Sequence, residues 1–330
     1  MTLRIPKPDN NPVAKITHIK PEWFLKRKAR PRQKLRPTPL ITLLSVFRPT
    51  IVQLFVYSTF IFILFRILSW NRFVSYILAS LLALLLIHRS RWLWPLIKRV
   101  NHFIPFEGTR VGFFYDAALG GTWKPSVVVE DCERHLKELS AVLGVSFRRK
   151  LLVFYFADSK DVSKIFGEHY AGTALPRFGA IVIGHSDYLQ DKIRHELTHL
   201  LAARWQTGAP PLLEEGLATW LGGSGSRWGQ SIDSTAQAIL LNSPPKLESL
   251  LKRRFFFSDA NQQRCYTFAA SFTGFLIRHY GWEKYQKLYR HSYDVGFRLS
   301  FKQLVGVRFE TAENLWREEI ISGKWSKFRK

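Results

Sequence analysis

Two helical patterns in tandem, residues 189–205 and 212–221, leave this chain few ways to bury its apolar surface. The first reads LQDKIRHELTHLLAARW and repeats Ile193, Leu197, Leu200 and Leu201 at i, i+4, i+7 and i+8, one apolar face of a helix. Gly208, Pro210 and Pro211 end it. The second, LLEEGLATWL, sets Leu213, Leu217, Trp220 and Leu221 in a stripe and carries Glu215 and Thr219 on the adjoining face. Positions four apart on a helix differ by about 40° around the axis and by one turn along it, so His195 and His199 project together.

Two imidazoles on one helix face can share a metal ion. Glu196 then lies beside the metal rather than on it, where it can take a proton from a water that the metal polarises. A catalytic zinc that keeps an open position needs a third protein ligand. Glu214 and Glu215 are candidates, and they differ by about 100° around the axis, so at most one can easily face the histidines. Glu215 shares its flank with Thr219, whose hydroxyl could steady a ligand imidazole. The competing reading makes His195, Glu196 and His199 surface residues joined by helix salt bridges. Both flanking stripes argue against it, because they place these residues beside the core. An HExxH match alone is a modest signal. Here it sits on a well-patterned helix, and a second helix with Glu-Glu-Gly follows a proline break.

HELTH followed by PPLLEEGLATW resembles the gluzincin branch of zincin metallopeptidases, specifically the peptidase MA-like domains. Thermolysin-like and aminopeptidase N-like enzymes belong to the same clan. The resemblance covers roughly residues 107–325 and is most specific at the two helices. It implies a zincin-like α+β fold, Zn²⁺ held by His195, His199 and Glu215, Glu196 as the catalytic base, and a peptide or protein substrate. It further implies that the short strand GAIVI, 179–183, is the sheet edge on which substrate backbone pairs. The later stretch YTFAASFTGFLIRHYG also fits, and by the same resemblance Tyr266 donates to the oxyanion of the tetrahedral intermediate. Read from the residues alone, Tyr266 is equally well a packed aromatic at a helix start. The acidic residue with which aminopeptidases capture a substrate amine is not evident around Gly179 and Ala180, so aminopeptidase specificity is not implied.

Around this core the chain reads as α+β, strands first and helices second. Strands are expected at 109–116, 150–156 and 179–183, and helices at 126–143, 189–205, 212–221, 233–241, 266–280, 282–292 and 311–321. Residues 222–229, GGSGSRWG, read as a loop. No internal repeat and no Gly-rich phosphate loop is present. Cys132 and Cys265 are too few for a disulfide framework and lack the paired spacing of a thiolate zinc site.

The N-terminal third is different. Residues 1–100 hold 18 Lys and Arg against 2 Asp and Glu, which is most of the chain's net charge of +24. Residues 1–48, with LKRKARPRQKLRP at their centre, are expected to be a disordered basic tail. Two apolar runs follow, 51–68 and 73–87, and are expected to form a transmembrane helical hairpin within 49–88. Residues 89–104, with Trp92 and Trp94 among basic residues, suit the lipid–water interface, and the metallopeptidase domain then spans 105–330. Twelve Lys and Arg before the first run, and Arg89, Arg91, Lys98 and Arg99 after the second, place both ends in the cytoplasm by the positive-inside rule. The partners expected are therefore the bilayer and a peptide or protein substrate. Nucleic acid is disfavoured, because few aromatics (Trp23, Phe24 and Phe47) stand among the tail's basic residues. The rival to an enzyme is a catalytically inactive zincin-fold membrane scaffold or binding module.

Overall fold

The computed structural model describes residues 102–324 except 121–123, 168–170, 224–225, 228–229, 242–244, 259–261 and 293–295, together with 58–59. The expected basic tail, nearly all of both apolar runs and most of 89–104 lie outside the described residues. Among the described residues no helix is long and apolar enough to cross a membrane.

A five-stranded sheet forms the first half of the domain. Strand β1 (Phe103–Glu107) pairs antiparallel with β2 (Val111–Asp116). Helix α1 (Pro125–Leu143) leads to β3 (Leu151–Phe156), and α2 (Ser159–Phe166) leads to β4 (Gly172–Leu175) and β5 (Ala180–Gly184). The order across the sheet is β1-β2-β3-β5-β4, with β2, β3 and β5 parallel and the two edge strands antiparallel. The all-apolar run LLVFYF is central and covered on both faces, as such runs require. Leu151, Val153 and Tyr155 face the main core, while Leu152, Phe154 and Phe156 face a smaller cluster that includes Val162 of α2.

The second half is helical: α3 (Leu189–Ala202), α4 (Pro211–Gly222), α5 (Ile232–Leu240), α6 (Arg253–Phe256), α7 (Gln262–Tyr280), α8 (Trp282–His291), α9 (Phe297–Val305) and α10 (Phe309–Ile321). The main core runs without a break from the sheet through Leu197 and Leu217 to Phe268, Phe272, Tyr285 and Trp316. Helix α4 packs against both α3 and α7, so it joins the sheet half to the helical half.

Two expectations are corrected. GAIVI is not the sheet edge: β5 is second from it, and the four-residue strand β4 covers it. Every residue of β4 is half-buried, so GTAL has no in–out alternation to announce a strand. The expected loop at 222–229 contains part of a short hairpin in which Ser226–Arg227 pairs with Gln230–Ser231. The strand β1, helix α2 and helix α9 were also not legible from periodicity; each is nine residues or fewer.

Candidate metal centre

Helix α3 buries Ile193, Leu197, Leu200 and Leu201, the stripe read from the sequence. That packing turns His195 and His199 to one side with ring centroids 4.7 Å apart. The opposite side of α3 is tied down by Arg194. Its Nε donates to the Leu221 carbonyl of α4 at 3.1 Å, and Nη1 donates to Glu138 Oε2 of α1 at 2.8 Å. A buried guanidinium thus links α1, α3 and α4 by charge-assisted bonds. His135, 3.1 Å from the same Nη1, is held below its ordinary pKa by burial, aided by the charges of Arg194 and Arg134.

Helix α4 starts at Pro211, whose missing N–H costs nothing in a first turn. One turn on, Glu214 and Glu215 diverge. Glu214 forms an ion pair with Arg253 at 3.2 Å. Glu215 is buried and points at the histidines, with Oε2 3.4 Å from His195 Nε2 and 3.2 Å from His199 Nε2. The two Nε2 atoms are 3.1 Å apart. A zinc ion with bonds of about 2.0–2.1 Å needs tetrahedral ligand atoms roughly 3.3 Å from one another. The triangle has that size and the donor set is His₂Glu, so these residues fit zinc.

The electrostatics agree with the geometry. Burial alone would raise the Glu215 carboxyl, but the His199 and His195 imidazoles hold it well below the carboxylate range. Burial alone would lower His199, yet the Glu215 charge and hydrogen bond lift it to about 9. Burial pushes Glu196 up to about 7 against the opposing charges of His199 and Lys192, a value suited to a group that accepts and returns protons near neutrality. Its carboxylate lies against the start of the edge strand: a Cβ on Gly172 would be 2.8 Å from Glu196 Oε1. A side chain on Gly172 would have to displace that carboxylate.

Tyr266, in the first turns of α7, has its ring 6.0 Å from that of His195 and is backed by Phe256 and Phe257. The Thr219 hydroxyl, expected to steady an imidazole, is buried with no hydrogen-bond partner among the described residues. Three neighbours of the site were missed in the sequence: Gly172, Arg194 and Lys192. Lys192, four residues before Glu196, had a helical signal; Gly172 had none, because its role comes from a non-local approach.

No protein-family model matches the chain, and no curated protein matches it. Among solved structures, the chain is similar to a point mutant of an M1 zinc metallopeptidase from Deinococcus radiodurans, with 18% identity and a TM-score of 0.41. The match covers 64% of this chain and 50% of that one, so the chain spans about half the length of that structure.

Proposed function

We propose that this chain is a membrane-anchored zinc metallopeptidase that hydrolyses peptide bonds. The observation that carries the reading is the His195–His199–Glu215 triangle with buried Glu196 on the same helix. Zinc held there would supply a Lewis acid for the scissile carbonyl and for the attacking water. Glu196 takes the proton of that water and passes it to the leaving amine, for which its raised pKa fits it. Tyr266, whose ring lies 6.0 Å from that of His195, donates to the developing oxyanion. Substrate backbone pairs with β4, whose outer edge has no strand beside it among the described residues and which starts alongside Glu196. The apolar runs at 51–68 and 73–87 anchor the domain to the cytoplasmic face of a membrane.

The test is a comparison of cleavage products in cells or lysate treated with the active protein and with Glu196→Gln. Products that depend on Glu196 support the peptidase. Zinc bound at one equivalent with no Glu196-dependent product would make the chain an inactive zincin-fold scaffold.

A further inference from the structure

Lys192 stands one turn before Glu196 on α3, on the same face. Its half-buried ammonium is held by two uncharged acceptors, Ser159 Oγ at 3.1 Å and the Gly184 carbonyl at 3.4 Å. Ser159 is itself fixed, since its hydroxyl donates to the His185 carbonyl at 3.1 Å. Gly184 has no space for a side chain, because a Cβ there would be 2.3 Å from Ser159 Cα. The end of β5 and the start of α2 are thus pressed together so that hydroxyl, carbonyl and ammonium share one notch. An ammonium has three N–H donors, of which these contacts use two. No carboxylate is within ion-pair distance of Nζ among the described residues, and the nearby charge that acts on it is that of Glu196. A fixed, partly desolvated cation, with one donor not engaged among the described residues, sits beside the catalytic base.

Its side of the cleft follows from topology. Only residues 185–188 join β5 to α3, so the helix doubles back along the strand, with Lys192 against Gly184 at the end of β5 and Glu196 against Gly172, the β4 partner of Ile183. Helix α3 therefore runs with β4, the antiparallel neighbour of β5. A peptide adding to β4 in the more stable antiparallel sense runs against α3, entering at the His199 end and leaving at the Lys192 end. On that course the chain on the leaving side of the bond passes the Lys192 end of α3.

We propose that Lys192, with Ser159 and Gly184, forms a carboxylate-recognising subsite for the first residue on the leaving side of the cleaved bond. The ligand group is a carboxylate, carried either by an Asp or Glu side chain or by a free C-terminus one residue after the bond. The inference rests on the peptidase reading above.

The experiment uses the full chain in detergent, zinc-loaded, and has two readouts. The first is binding of fluorescent peptides to the Glu196→Gln protein, which needs no turnover. The peptides are identical except for Glu, Gln or Lys at the leaving-side residue, each with an amidated C-terminus; a fourth ends there in a free carboxylate. The second is turnover of the same peptides by the unmodified chain. A half-buried charge-assisted hydrogen bond predicts about tenfold tighter binding of Glu over Gln, and of Gln over Lys. Lys192→Gln should abolish the discrimination and Lys192→Arg should restore most of it. Preference for the free carboxylate over internal Glu would assign the subsite to chain ends; the converse would assign it to side chains. Equal binding of Glu and Gln, or an acid preference on the other side of the bond, would overturn the proposal. So would a Lys192→Gln variant that slows all peptides equally with discrimination intact, since Lys192 would then only position Glu196. Discrimination in binding with no turnover in any arm would sink the peptidase reading and leave Lys192 as a carboxylate-binding site with no leaving side assigned.

Discussion

Gly216 and Ala269 fix how closely α4 approaches α7: a Cβ on Gly216 would be 2.6 Å from the Ala269 carbonyl oxygen and 2.5 Å from Thr273 Oγ1. Glu215 owes its position to that approach, because α4 is pressed between α7 and α3 with Tyr285 donating to the Leu213 carbonyl at 3.0 Å. Gly216→Ala should push the helices apart and destabilise the domain by about 1–3 kcal/mol. Zinc affinity should fall with it. Thermal unfolding and zinc titration of the variant check both, and an unchanged affinity would show that Glu215 does not depend on the α4–α7 contact.

The two adjacent carboxylates should separate cleanly. Glu214→Ala removes a surface ion pair with Arg253 and should leave one equivalent of zinc bound. Glu215→Ala removes the anionic member of the triangle and should lose zinc on dialysis against a weak chelator. Metal analysis of the two purified variants decides; zinc retained by both would refute the His₂Glu centre.

Proton transfer and metal binding should also be separable. Glu196→Gln keeps the side-chain shape and should keep zinc, while turnover falls at least about a hundredfold. Tyr266→Phe should cost about tenfold to a thousandfold if its hydroxyl meets the oxyanion. Steady-state kinetics on a cleaved substrate measure both, and full activity in Glu196→Gln would rule out its role as base.

Acid should loosen the back of the metal helix through His135. Burial holds folded His135 below its ordinary value, so the unfolded chain binds the proton more readily. The His135 contribution to stability should therefore decline as pH drops below about 6.5, the unfolded imidazole value, and keep declining until the folded pKa is passed. Urea midpoints between pH 5 and 7.5 should differ in slope between the natural chain and His135→Gln by this contribution, because the opposite contribution of Glu196, raised in the fold, is common to both. An identical slope in the variant would assign it to other groups.

Membrane topology is open to a direct check. With 12 Lys and Arg ahead of residue 51 and a basic segment after residue 87, both ends should be cytoplasmic. A reporter fused after Lys330 should be active only in its cytoplasmic form. Extracytoplasmic activity would mean that a single run spans.

Much of the site was legible because helical periodicity is local. The spacing of Ile193, Leu197, Leu200 and Leu201 sets which side of α3 is buried, and that sets His195 and His199 together on the other. LLVFYF likewise read as a covered strand from composition alone. The choice between Glu214 and Glu215 was narrowed to one of two by the 100° step, but which one turns inward depends on how α4 lies between α3 and α7. The edge of the sheet depended on pairing between β4 and β5, and a half-buried strand of four residues has too little pattern to be read in one dimension. Lys192 was visible only as a charge on a helix. Its meeting with Ser159 and Gly184 joins residues 33 and 8 positions away, and such contacts arise from packing one element on another rather than from any repeat within one.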